Sequence, residues 1–239
     1  MGTQGRAPGQ RLGVASVVLL VLGGAVSCTG GVGGYLFTPT RVVVSDSMKP
    51  TYTTGGSIVV NMLAPGVERG DVVLFDSSVW GERGLFLERV VAVGGDRIAY
   101  QRGDRTLTLN GKPLEEPYVL DGDPVAGSPF AFDVTVPEGR LFLLGDARGN
   151  SADSRYRFEK TEGGTAPVSA VKGTVIGTGH PLVVGFRTAV FAGAAVLAAG
   201  AVSGFAALRL RRRAGAAAAA AAAAAQQPAY AGQVPPPGA

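Results

Sequence analysis

Two long runs without a charged side chain constrain this chain more than any other feature. No Asp, Glu, Lys or Arg occurs between Arg11 and Arg41; Leu12–Cys28 is nearly continuous apolar sequence, and a Gly-rich stretch follows to Phe37. Thr188–Leu208 is a second uncharged run of 21 residues, closed at once by Arg209, Arg211, Arg212 and Arg213. A helix rising 1.5 Å per residue needs about 20 residues to cross a bilayer core. The second run meets that length outright, and the first does so when its glycine-rich extension is counted. Two other readings of the first run stay open: a cleaved signal peptide ending at Ala25-Val26-Ser27, or a lipoprotein signal ending at Cys28, for which Ala25 is a poor fit. The length of the uncharged run favours a retained span.

Charge gives the orientation. Residues 1–40 hold Arg6 and Arg11 and no acid, and residues 188–239 hold four arginines and no acid. The middle, 41–187, carries 16 basic and 18 acidic side chains. The net charge of +4 therefore belongs to the flanks, which gives no footing for nucleic-acid binding by the folded part. Basic clusters beside apolar runs mark the cytoplasmic side, so both ends lie inside and the middle outside. The organisation expected is a basic tail over 1–11, a transmembrane segment over 12–37, an extracytoplasmic domain over 38–180, a transmembrane helix over 183–209 and an Ala/Pro-rich low-complexity tail over 210–239. That makes a multi-pass protein of the cytoplasmic membrane in contact with lipid. One cysteine, Cys28, rules out an intramolecular disulfide, and one histidine, His180, leaves no His/Cys cluster for a metal.

The outer region reads as mainly β. Ser57–Met62, Asp71–Phe75, Leu85–Val93, Thr106–Asn110 and Leu141–Leu144 are short runs rich in β-branched residues or leucine, punctuated by Gly, Pro and Asp. Asn110-Gly111 is a type I′ turn signal. No amphipathic helical pattern of useful length interrupts them. A small β-barrel or folded-sheet assembly is the expected class.

Three segments there can carry chemistry: Ser45-Asp46-Ser47-Met48-Lys49-Pro50-Thr51, Glu88-Arg89-Val90-Val91-Ala92-Val93-Gly94-Gly95-Asp96, and Gly145-Asp146-Ala147-Arg148-Gly149-Asn150-Ser151-Ala152-Asp153-Ser154-Arg155. Singly, each has a plain explanation: a Ser/Pro turn, a buried strand with its turn, a loop held by Asx turns. In this order behind an N-terminal anchor, and with Asn110-Gly111-Lys112-Pro113 and Glu116-Pro117-Tyr118 between the second and third, they resemble the type I signal peptidases, over about residues 12–178. The resemblance implies a largely β catalytic domain resting on the membrane. It also implies a serine endopeptidase that cuts exported preproteins after small residues in an A-x-A-like pattern, without a cofactor. By the same resemblance Ser47 is the nucleophile, Ser45 helps stabilise the oxyanion, Ser151 orients the base, and Arg89, Asp146, Asp153 and Arg155 form a supporting polar network.

The chain departs from the family's pattern in small ways, with Gly56-Ser57 where Gly-Asp is usual and Ala147 and Gly149 for the usual Asn and Asp of the third segment, and in one way that matters for the chemistry. The family keeps a lysine base directly before the arginine of the second segment, and here that residue is Glu88. None of the four lysines, Lys49, Lys112, Lys160 and Lys172, falls at the base position, and neither does His180. A carboxylate serves as base only if its pKa is raised toward working pH. Strand alternation places Arg89 on the opposite face, so Glu88 need not pair with it. Three readings stand at this point: a peptidase using Glu88, a non-cutting relative that binds signal sequences or a membrane partner, and a surface domain in which the motifs only hold loops.

Overall fold

The computed structural model describes residues 9–63, 66–128 and 130–226; Arg6 and the last 13 residues of the expected C-terminal tail lie outside them. Two helices are long and apolar enough to cross a membrane: α1, Gln10–Phe37, and α2, Pro181–Ala225. α2 starts two residues before the expected span and does not stop at the arginine cluster. It runs on past Gly215 through the alanines to Ala225, because alanine is the best helix former.

The apolar parts of the two helices pack antiparallel through small residues. On α1 the buried positions Ser16, Gly23 and Gly30 recur every seven residues. On α2 Gly193, Gly200 and Ala207 do the same. A Cβ on Gly23 would sit 2.7 Å from Leu197 N, and one on Gly193 would sit 2.3 Å from Ser27 Oγ, so only glycine permits this approach. Ser16 Oγ donates to Gly200 O at 2.7 Å. The seven-residue period is that of a left-handed helix pair.

The region between the helices is all antiparallel β. In chain order the strands are β1 (Thr40–Val42), β2 (Ser57–Asn61), β3 (Val72–Asp76), β4 (Leu85–Val93), β5 (Arg97–Tyr100), β6 (Thr108–Leu109), β7 (Lys112–Pro113), β8 (Phe132–Thr135), β9 (Arg140–Leu144), β10 (Ala166–Pro167) and β11 (Val171–Ile176). A seven-stranded sheet runs β1-β2-β11-β3-β4-β9-β10, and a four-stranded sheet runs β7-β6-β5-β8. The large sheet is open, so the folded-sheet form is adopted rather than a closed barrel. The run Thr106–Asn110 shrinks to the two residues of β6, because Asn110 (φ 52°) and Gly111 (φ 78°) already form the left-handed turn into β7.

β4 and β9 are central, which explains the apolar residues that flank Glu88-Arg89 in the one and follow Arg140 in the other. Leu141 and Leu143 join Val73, Phe75, Trp80 and Val90 on one face, while Phe142 and Leu144 join Val91, Ile98, Phe132 and Val134 against the small sheet. Strands buried on both faces read as continuous hydrophobic runs. A third cluster, Val43, Ile58, Val60 and Leu74 with Leu87 against it, underlies the segment that carries Ser47.

Candidate active site

Glu88 sits on β4 opposite Val73 of β3, and Arg89 sits opposite Val72. Period-two alternation sends the two side chains to opposite faces. Each is buried, Glu88 at 2% exposure. Arg89 grips Asp146 with two bonds, Nε to Oδ1 at 2.8 Å and Nη2 to Oδ2 at 2.6 Å, donates Nη1 to Gly70 O at 2.7 Å, and lies 4.0 Å over the Tyr118 ring. Thr51 Oγ1 donates to the same Asp146. Glu88 takes no part in this. Its carboxyl lies 3.3 Å from Ser151 Oγ at both oxygens.

Ser47 lies in the turn after β1, where Met48 anchors the turn by complete burial. Ser47 N donates to Ser45 Oγ at 3.2 Å, so the two sites expected to serve an oxyanion lie side by side. Ser47 O accepts from Ala147 N at 2.8 Å, which ties the turn to the loop bearing Ser151. Ser45, Ser47, Glu88 and Asn150 line one groove of about 650 Å³ with an apolar floor that includes Ile58 and Leu74. Ser47 and Glu88 thus face the same space, and among the described residues the hydrogen-bond partner of Glu88 is Ser151 rather than Ser47.

The loop 145–155 is held by two buried arginines. Arg155 pairs with Asp153 through Nε at 2.9 Å and Nη2 at 2.8 Å and donates to Arg148 O and Ala126 O. Arg148 donates Nε to Gly145 O at 2.8 Å and pairs with Glu116 at 2.6 and 3.0 Å. The Arg148–Glu116 clamp and the Tyr118 ring under Arg89 are contributions that sequence reasoning missed. Their partners are tens of residues away, and the nearest signal was the Glu116-Pro117-Tyr118 run itself.

Burial pushes the Glu88 carboxyl well above the ordinary carboxylate range, and the neighbouring Asp153 charge adds to this; the Ser151 hydrogen bond and the Arg155 charge act the other way. Glu88 is the odd carboxylate among three buried acids and two guanidiniums, since Arg89 and Arg155 are committed to Asp146 and Asp153. No lysine replaces it. Lys49 is drawn off by Asp46 at 2.8 Å, and Lys49 with Thr54 holds that carboxyl down to about 2. Lys112 lies in the hairpin, Lys160 lies 3.9 Å from Glu82, and Lys172 lies 3.7 Å from Asp76. His180 accepts from Leu182 N at the start of α2.

Gly145 is the tightest point of the site. A Cβ there would lie 2.5 Å from Ser151 Oγ and 2.7 Å from Ser47 O. Gly145→Ala is therefore expected to push the Ser47 turn and Ser151 apart. An ångström of misplacement costs on the order of a hundredfold in a reaction that depends on orientation. The measurement is kcat beside the fluorescence of buried Trp80. A variant with native fluorescence and full kcat would contradict this geometry.

Comparisons with known proteins give the family. A family model described as "Signal peptidase, peptidase S26" matches residues 13–178. A probable signal peptidase I of Mycobacterium leprae (strain TN) is 44% identical over 107 residues, 36% of this chain and 36% of that protein. Signal peptidase IB of Staphylococcus aureus (strain Mu50 / ATCC 700699) is 32% identical over 141 residues, 52% of this chain and 71% of that protein. The chain thus spans about a third of the mycobacterial relative's length and more than two thirds of the staphylococcal one's. A crystal structure of a signal peptidase I from Enterococcus faecalis V583 aligns with a TM-score of 0.37 and 28% identity, covering 46% of this chain and 97% of that one. With its family match over more than half of its length, the chain belongs to the type I signal peptidase family.

Proposed function

We propose that the protein is a membrane-anchored serine endopeptidase that removes N-terminal signal peptides from exported preproteins at the outer face of the cytoplasmic membrane. In this reading α1 and α2 are retained spans, and the arginines flanking them hold both ends in the cytoplasm. The observation that carries the reading is the groove in which Ser47, with Ser45 at its amide, meets Glu88, itself held by Ser151.

The chemistry follows from that geometry. A serine hydroxyl is a weak nucleophile until a neighbour takes its proton. Ionised Glu88 accepts the Ser47 proton as Oγ bonds to the scissile carbonyl carbon. The negative charge on the carbonyl oxygen meets the Ser47 N–H and the Ser45 hydroxyl. Collapse breaks the C–N bond, and the proton passes from Glu88 to the leaving amine. Water, deprotonated by the same carboxylate, then adds to the ester carbon; the bond to Ser47 Oγ breaks and the proton on Glu88 returns to Oγ. A substrate still tethered by its apolar segment arrives already confined to the membrane, which lowers the entropic cost of positioning it. Residues small on either side of one position, in an A-x-A-like pattern, are the expected cleavage signal.

One observation favours a second reading. Glu88 is buried and hydrogen-bonded to Ser151, and burial raises its carboxyl well above the ordinary range. A carboxylic acid that never ionises is no base, and the protein would then bind signal sequences without cutting. The deciding experiment is cleavage of a preprotein with an A-x-A site by the full chain in detergent. Cleavage by wild type that is absent in Ser47→Ala supports the peptidase. Silence in wild type, with activity gained in Glu88→Lys, identifies a non-cutting relative with an intact nucleophile.

A further inference from the structure

The groove that holds Ser47 and Glu88 has a second, cationic end. Its two walls are the segments 41–48 and 83–88, which both lead toward the reacting groups. Along the chain Arg41 and Arg83 open these two lining segments, and Ser47 and Glu88 come at or near their close. Besides Glu88, those two arginines are the ionisable side chains of the lining. Both are exposed, and neither has an ion-pair partner among the described residues, whereas Arg89, Arg148 and Arg155 nearby are each paired. Between the ends the floor is apolar, with Val43, Ile58, Leu74 and Leu87.

From Arg83 to Glu88 is five residues, and from Arg41 to Ser47 is six. At about 3.3 Å per extended residue the arginines lie some 16 to 20 Å of chain from the chemistry. An extended peptide with its scissile carbonyl at Ser47 therefore reaches them with a side chain four to six residues away. Arg41 follows the end of α1 at Phe37 by four residues, within about 14 Å of chain. Ser47 is ten residues from that helix end, so on the proposed reading, in which α1 is a retained span and the leader is tethered in the same membrane, the Arg41 end is assigned to the N-terminal side of the substrate.

We infer that Arg41 and Arg83 are specificity-determining residues that select substrates carrying a carboxylate side chain four to six residues before the cleaved bond and reject those with a cation there. The inference rests on the peptidase reading for its substrate and for the direction in which that substrate lies, but its signature is a binding preference that survives without cleavage. Two unpaired guanidiniums at the rim raise the local concentration of an anionic peptide and slow its escape, an effect that salt screens. Each rim pair is weak by itself, so the combined preference for Asp over Lys is expected to be about three- to tenfold at low salt.

The test uses the full chain in neutral detergent and a set of A-x-A peptides. Each peptide carries a single Asp, Asn or Lys four, five or six residues before the cleaved bond, or at the same distances after it. Cleavage is read as kcat/KM with wild type, and affinity as fluorescence polarisation with Ser47→Ala. Both are repeated with Arg41→Gln/Arg83→Gln and Arg41→Lys/Arg83→Lys, with Trp80 fluorescence reporting the fold. The expected result is a preference for Asp over Lys on the N-terminal side only, lost in the glutamine pair and at high salt, and kept in the lysine pair. Binding that shows this pattern with no peptide cut upholds the inference and removes the peptidase reading. Cleavage and binding indifferent to charge overturn the inference and leave the peptidase. A preference that survives the glutamine pair also overturns it. So does a loss confined to affinity for anionic phospholipid vesicles, which would assign the arginines to lipid, and so does failure of every peptide to bind.

Discussion

Ser47→Ala and Glu88→Gln are both expected to abolish or nearly abolish cleavage, but only the second is expected to make the protein more stable. Removing Oγ takes away the atom that attacks, and activity should fall below detection. Removing the base costs about a hundred- to ten-thousand-fold. Stability separates the two. The Glu88 pKa is raised in the folded state above its unfolded value of 4.5, so the native protein binds a proton that the unfolded chain releases. Its contribution is fully present below about pH 4.5 and is lost as pH rises through the folded value; each tenfold in proton affinity is worth about 1.4 kcal/mol. Glutamine keeps the shape and cannot ionise. The melting temperature of Glu88→Gln, followed by Trp80, should match wild type near pH 4.5 and exceed it increasingly toward pH 8. Ser47→Ala should track wild type throughout. A glutamine variant that is less stable at pH 8 would mean that Glu88 is charged and paired in the native state.

The same linkage gives the catalytic pH profile. The ionised form needed to take the Ser47 proton is the form the fold disfavours, so kcat/KM should rise with pH through the raised Glu88 value. A lysine at this position meets the opposite limit, since burial drives it toward its neutral and basic form. In its neutral form either residue leaves the pocket without net charge, because Arg89 and Arg155 already balance Asp146 and Asp153. A buried site tolerates either neutral group and penalises an unpaired charge. The neutral forms differ in chemistry, since neutral lysine is a free base and neutral glutamic acid is a conjugate acid, so either residue serves as base only above its own pKa, which burial lowers for lysine and raises for glutamate.

The parts of this site that were legible in sequence are those written in contiguous residues. Leu85–Val93 reads as a strand from its leucines and β-branched residues on either side of Glu88-Arg89, and is β4 to the residue. Alternation alone separates Glu88 from Arg89. Ser45, Ser47 and Ser151 draw their expected roles from the resemblance, because each belongs to a short motif of the family. The strands β5 and β8 were not anticipated. Arg97–Tyr100 is short and opens on a charge, and Phe132–Thr135 alternates buried and exposed residues but follows a Pro/Gly/Ser-rich stretch that reads as loop. The buried clamp of Arg148 on Glu116 spans 32 residues and leaves no local periodicity. Nor could the sequence show that Ser16, Gly23 and Gly30 face Gly193, Gly200 and Ala207. Glycine is common in membrane helices for several reasons, and only proximity reveals which one applies.

Asp153→Asn and Ser151→Ala should move the pH profile in opposite directions. The Asp153 charge raises the Glu88 pKa and the Ser151 hydrogen bond lowers it. Neutralising Asp153 leaves Glu88 as the carboxylate facing Arg155, so ionised Glu88 becomes a counterion instead of a surplus charge. The acid limb of kcat/KM should then move to lower pH. Arg155 keeps its bonds to Ala126 O and Arg148 O but loses its carboxylate. A buried ion pair broken on one side costs about 3–5 kcal/mol. That loss should be largest at acid pH, where Glu88 is neutral, and should shrink as Glu88 ionises and takes over the pairing. In Ser151→Ala the carboxylate loses a donor, and the acid limb should move to higher pH with a smaller loss of stability. Urea denaturation at several pH values, beside the two rate profiles, measures all of this. If both variants shift the limb the same way, or Asp153→Asn shifts it upward, the titrating group that governs the rate is not Glu88, and the role of base passes to some other group in the groove.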